Sequence, residues 1–165
     1  MIMTCVRTTG LGELTVVRES DDLLTARGLG SCIGIAVYER THRIAIMAHV
    51  MLPGPAPDLP SLNQPARYAA QAVESILQAV EEFGGRPRDL VVKIAGGAQV
   101  IRLHGKDDRL QVGLRNTQAV RDAMTRRKLH IAAEQTGGST GRTLTLHAAT
   151  GHTTIRLVGG QEETL

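Results

Sequence analysis

Two runs of β-branched and small apolar residues stand on either side of a short polar break, and this pattern constrains the chain more than any other feature. Residues 32–39 (Cys-Ile-Gly-Ile-Ala-Val-Tyr-Glu) and 43–51 (Arg-Ile-Ala-Ile-Met-Ala-His-Val-Met) both read as strands, with Arg40 and Thr41 between them. If those two residues close a hairpin, Glu39 faces His42, Val37 faces Ile44 and Cys32 faces His49. Directly opposed residues have Cβ atoms roughly 4.5–5.5 Å apart. A four-residue loop about the same centre preserves these pairs, whereas a one-residue bulge breaks them.

Alternation then sorts the side chains. Ile33, Ile35 and Val37 share a face with Ile44, Ile46, Ala48 and Val50, which reads as core. The other face carries Cys32, Gly34 and Ala36 beside Ala45, Met47 and His49. Neighbours this small are expected to leave the thiol and imidazole room to receive an incoming side chain. A thiol becomes a strong nucleophile as thiolate, and an adjacent imidazole can take its proton. The run Gly28-Leu-Gly-Ser before Cys32 can turn sharply, so backbone N–H groups around Gly30–Cys32, those of Gly30 and Ser31 among them, are candidate oxyanion donors. A small buried cysteine beside an ordinary strand histidine fits the same spacing.

At 165 residues, residues 1–165 are expected to form one domain with a substantial core. Tyr38, Tyr68 and Phe83 are the only aromatic residues, so aliphatic and alanine packing must dominate. A net charge of +3, without a basic tract or interleaved aromatics, gives no nucleic-acid footprint and suits an acidic protein partner. Cys5 and Cys32 give no disulfide framework. The N-terminal run lacks a signal peptide's apolar core, and no stretch is long enough to span a bilayer, so a cytoplasmic protein is expected.

Short strands are expected at 14–17 and 23–26. Residues 52–60 hold four of the six prolines, which excludes helix and central strand and leaves a surface connector or a rim over the site. Pro65 opens a helix to about Phe83, with Ala69, Val73, Ile76, Leu77 and Val80 inward. Residues 90–95 form a strand ending at Gly96-Gly97, a pair that makes a turn, cradles an anion or lets backbone approach a ligand. Asn116 N-caps a second helix over 117–128, and strands follow near 130–134, 143–148 and 153–158. The fold class is α/β, with a mixed or antiparallel sheet and two main helices. His147 and His152 flank a turn, but no third ligand accompanies them, so no metal is expected.

Six ordered blocks now resemble one family. They are Gly28-Leu-Gly-Ser-Cys-Ile-Gly-Ile-Ala36, Ala48-His-Val-Met-Leu-Pro53, Lys93-Ile-Ala-Gly-Gly-Ala98, Val112-Gly-Leu-Arg-Asn116, Ala133-Glu-Gln-Thr-Gly-Gly138 and Arg156-Leu-Val-Gly-Gly160. Together they resemble the CheD chemoreceptor glutamine deamidases. The resemblance implies a fold related to glutamine-deamidating bacterial toxins, with Cys32 as nucleophile, His49 as base and no cofactor. It also implies a chemoreceptor substrate and a CheC-type partner, a phosphatase of the response regulator. A different class of function, a binding module that docks on that phosphatase and stimulates it, fits the same likeness. One position departs from the family, whose third catalytic residue is a threonine that aligns here with Ala26. Thr25 lies one step earlier, on the opposite strand face. It serves only if the backbone shifts; otherwise a backbone carbonyl can orient the histidine.

Overall fold

A computed structural model describes residues 3–58, 62–100 and 111–165. In chain order the strands are β1 (Val6–Thr8), β2 (Leu14–Arg18), β3 (Leu23–Leu29), β4 (Ile33–Glu39) and β5 (Ile44–Val50), followed by helix α1 (Ala69–Glu82). After these come β6 (Leu90–Gly96), helix α2 (Val112–Arg126), β7 (Ile131–Thr136), β8 (Arg142–His147), β9 (Thr153–Leu157) and β10 (Glu162–Thr164). The strands form two five-stranded sheets, ordered β2-β5-β4-β6-β7 and β1-β3-β8-β9-β10. Each is antiparallel except for one parallel pair, β6 with β7 and β1 with β3. The chain is thus α/β, with mixed sheets and two α-helices among the described residues.

Three layers result. On one side of the central sheet, Ile33, Ile35, Val37, Ile44, Ile46 and Val50 pack against Val73, Ile76 and Val80 of α1 and Val120, Ala123 and Met124 of α2. On its other side, Ala36, Ala45, Met47 and Ala95 meet Leu24, Ala26, Leu29, Leu144 and Leu146 of the second sheet. The small-residue face of the hairpin is therefore covered, which corrects the expectation that it stands open. A Cβ on Gly34 would lie 2.9 Å from Leu29 Cδ1 and 3.1 Å from Leu144 Cδ2. The small residues there admit a second sheet rather than a substrate.

The hairpin register also differs. Glu39 pairs with Ile44, Ile35 with Ala48 and Gly34 with His49, two residues out of step with the pairing expected from a loop at Arg40-Thr41. A two-residue turn needs left-handed residues such as Asn-Gly, and a β-branched threonine resists that conformation. The chain instead loops through Arg40, Thr41, His42 and Arg43, with Arg43 left-handed at φ 52°. The buried Glu39 carboxylate accepts the Thr41 and His42 backbone N–H groups and a hydrogen bond from His42 Nδ1. Because the slip is an even number of residues, every side chain keeps its expected face.

Helix α1 starts later than Pro65 because Arg67 O accepts the N–H groups of Met51 and Leu52, and Tyr68 bridges Leu52. Its inward stripe is as expected. Within residues 52–60, Ala56 to Asp58 are exposed and Leu59 and Pro60 fall outside the described residues.

Candidate active site

Cys32 lies immediately before β4, half-buried, where its side chain packs against the inter-sheet core. His49 lies on β5 facing the same layer and is only 2 % exposed. Since His49 opposes Gly34, Cys32 is its diagonal rather than its direct neighbour. The thiol and imidazole share a face but are not hydrogen-bonded to each other.

The loop before β2 fixes the imidazole. Thr9 is buried, and its carbonyl accepts a hydrogen bond from His49 Nδ1 at 3.1 Å. A carbonyl can only accept, so Nδ1 carries the hydrogen and Nε2 carries the lone pair. Nε2 is buried and has no hydrogen-bond partner among the described residues. The loop is held in turn by Gly12 N donating to His49 O, His49 N to Glu13 O, and Thr9 N to Thr25 O. Burial holds the imidazole below its ordinary pKa, although the Thr9 carbonyl and the Glu13 charge pull it partly back. Burial likewise pushes the Cys32 thiol up. Burial thus favours the neutral form of both groups, and the Nε2 atom has no hydrogen-bond partner among the described residues.

The turn carrying the thiol is stitched from two sides. Gly97 N donates to Cys32 O and Ala98 N to Gly30 O, so the end of β6 lies against it. A Cβ on Gly96, which has φ 122°, would stand 2.1 Å from Cys32 O. The glycine pair is thus where the end of β6 meets the backbone of the Cys32 turn. From the helix side, Asn116 Nδ2 donates to Ser31 O and to Met51 O, both at 2.9 Å. Asn116 is completely buried and sits inside α2, which begins at Val112, so the N-cap expectation is corrected. Its use as a bridge between two loops has no local spacing signature. The hint was its place in the block Val112-Gly-Leu-Arg-Asn116.

Two further expectations change. Gly30 N donates to Gly28 O and is not free to bind an oxyanion, whereas the Ser31 and Cys32 N–H groups have no partner among the described residues. Thr25 faces away from the thiol. Its hydroxyl contacts Arg7 O and Thr8 Oγ1 on the outer side of the second sheet, while Ala26 points into the inter-sheet core. One step along a strand reverses the side-chain direction, and no backbone shift brings Thr25 back. Its link to His49 runs only through its carbonyl, which holds Thr9. His147 and His152 do face each other, with ring centroids 5.4 Å apart, and no group of three or more metal-ligating side chains occurs among the described residues.

A family profile described as CheD chemotactic sensory transduction matches residues 51–157. The chain is 41% identical over 156 residues to a protein of Symbiobacterium thermophilum named probable chemoreceptor glutamine deamidase CheD, covering 94% of each chain. The chain belongs to the CheD family. A CheD protein of Halalkalibacterium halodurans, named chemoreceptor glutamine deamidase, is 36% identical over 149 residues, covering 90% of this chain and 91% of that one. A probable CheD deamidase of Clostridium botulinum is likewise 36% identical, over 150 residues and 91% of each chain. Among solved structures, the C-terminal domain of CNFy from Yersinia pseudotuberculosis superposes with a TM-score of 0.42 at 8% identity, over 97% of this chain and 61% of that one.

Proposed function

We propose that this CheD protein hydrolyses glutamine side chains of chemoreceptors to glutamate, with Cys32 as nucleophile and His49 as base. The observation that carries this reading is the fixed tautomer of His49, whose buried Nε2 lone pair lies on the same face as the Cys32 thiol. The names of the CheD relatives supply the substrate class.

As Cys32 Sγ attacks the carboxamide carbon, its proton passes to His49 Nε2. The former carbonyl oxygen becomes an oxyanion, for which the free Cys32 and Ser31 N–H groups are the donors at hand. One such donor is worth about 2.7–4 kcal/mol in the transition state. The imidazolium then protonates the amide nitrogen, the C–N bond breaks and ammonia departs, leaving a thioester. Water, losing a proton to the same Nε2, attacks the thioester. The C–S bond breaks, the thiol regains its proton and glutamate is released. A glutamyl methyl ester would follow the same course with methanol leaving. The CheC-type phosphatase is the partner that the family resemblance implies.

Incubating a purified receptor cytoplasmic fragment with the protein should release ammonia and raise the fragment's mass by about 1 Da per site, the difference between –NH₂ and –OH. Cys32→Ala should abolish both. Persistence of deamidation in that variant would sink the mechanism, and no change with the wild type would sink the activity.

A further inference from the structure

We infer that Asn116 is a positioning residue that aims the Cys32 N–H into the site as the oxyanion donor. The inference rests on the deamidase reading above. Each of the two Nδ2 hydrogens of Asn116 is committed to a carbonyl, one on the residue before the nucleophile and one two residues after the base. This also fixes the amide's orientation, since Oδ1 turned toward Ser31 O and Met51 O would only repel them. The cost is an Oδ1 that is buried without a partner among the described residues. A lost acceptor of this kind is retained where the donated bonds matter more.

The carbonyl held by Asn116 belongs to the same peptide unit as the Cys32 N–H. That unit is trans, because Gly54-Pro55 is the cis bond among the described residues. In a trans peptide C=O and N–H point in opposite directions. Asn116 draws the carbonyl toward α2, on the helix side of the central sheet. The N–H therefore points to the other side, where the thiol packs against the inter-sheet core. It has no partner there among the described residues. The second bond, to Met51 O, ties the end of β5 to the same side chain, so one amide sets the nucleophile's turn relative to the base's strand.

The test compares two reactions of the same sulfur in Asn116→Ala and Asn116→Ser. Deamidation of the receptor fragment passes through an oxyanion; alkylation of Cys32 by iodoacetamide does not. The expected result is kcat lowered about 10²–10³-fold with KM little changed, the loss typical of one oxyanion donor, while the alkylation rate stays near that of the wild type. Deamidation at the wild-type rate overturns the inference. So does a parallel fall of both reactions, which would make Asn116 a general support of the fold. A second measurement needs no variant: a peptide aldehyde in place of the target glutamine should form a hemithioacetal at Cys32 and shift the Cys32 amide resonance downfield. An unmoved resonance in a formed adduct overturns the inference. A wild type inert toward receptor glutamines overturns the deamidase reading itself, and is distinguished by the absence of ammonia release.

Discussion

At the scale of single residues, the chemistry turns on which proton sits where. His49 keeps its hydrogen on Nδ1 because Thr9 offers a carbonyl, and burial disfavours the charged ring. If His49 is the base, as proposed, the acid limb of kcat/KM should have its midpoint below the ordinary imidazole value of about 6.5, where the ring protonates. Stability follows the same sign: the unfolded chain binds the proton more readily, so stability falls as pH drops through that window. With the thiol raised by burial, iodoacetamide should label Cys32 slowly at pH 6 and faster as pH rises toward and beyond the ordinary thiol value. Fast labelling at pH 6 would instead reveal a preformed thiolate–imidazolium pair. His49→Gln should remove most turnover, about 10²–10⁴-fold for a general base.

At the scale of elements, the faces of the hairpin were legible in the sequence and its register was not. Period-two alternation fixed which side chains share a side, and a two-residue slip leaves that unchanged. The loop was misplaced because its closing device is not a glycine turn but the Glu39 carboxylate, which takes three hydrogen bonds from Thr41 and His42. Burial alone would raise the Glu39 pKa, yet the bonds from His42 and Thr41 hold it below the ordinary carboxylate value. Their contribution is present at neutral pH and lost as pH falls through that lowered value. Glu39→Gln should destabilise the fold by about 1–3 kcal/mol, read by thermal or urea unfolding. Gly96 poses the stricter test at the end of β6. A methyl group there meets Cys32 O at 2.1 Å in a backbone conformation unsuited to L-residues. Gly96→Ala should lower both the melting temperature and kcat, the strain being about 1–3 kcal/mol or more. Helix α2 began earlier than expected because Val112 and Gly113 are weak helix formers. Gly113 is nevertheless needed, as a Cβ there would stand 2.6 Å from Ala98 O.

At the scale of the molecule, the layer order decides which residues can act on the thiol. The sequence announced an α/β chain with two helices, but not that the ten strands among the described residues divide into two sheets. The edge strands β1 and β10 have only three exposed residues each, too few to carry a pattern. The small residues Gly34, Ala36 and Ala45 looked like room for a substrate and are instead the seam along which the second sheet packs. Thr25 lies on the far side of that sheet, so Thr25→Val should leave kcat/KM within about twofold of the wild type, under 0.5 kcal/mol in the barrier. A large loss would return a catalytic role to its hydroxyl.

The most direct measurement is the intact mass of the protein itself, acid-quenched during turnover of a glutamine peptide drawn from a receptor's cytoplasmic region. An acyl-enzyme should appear at the mass of protein plus peptide less one ammonia, map to Cys32, and be absent in Cys32→Ala. Turnover without any adduct on Cys32, or an adduct on another residue, would contradict the thiol–imidazole mechanism.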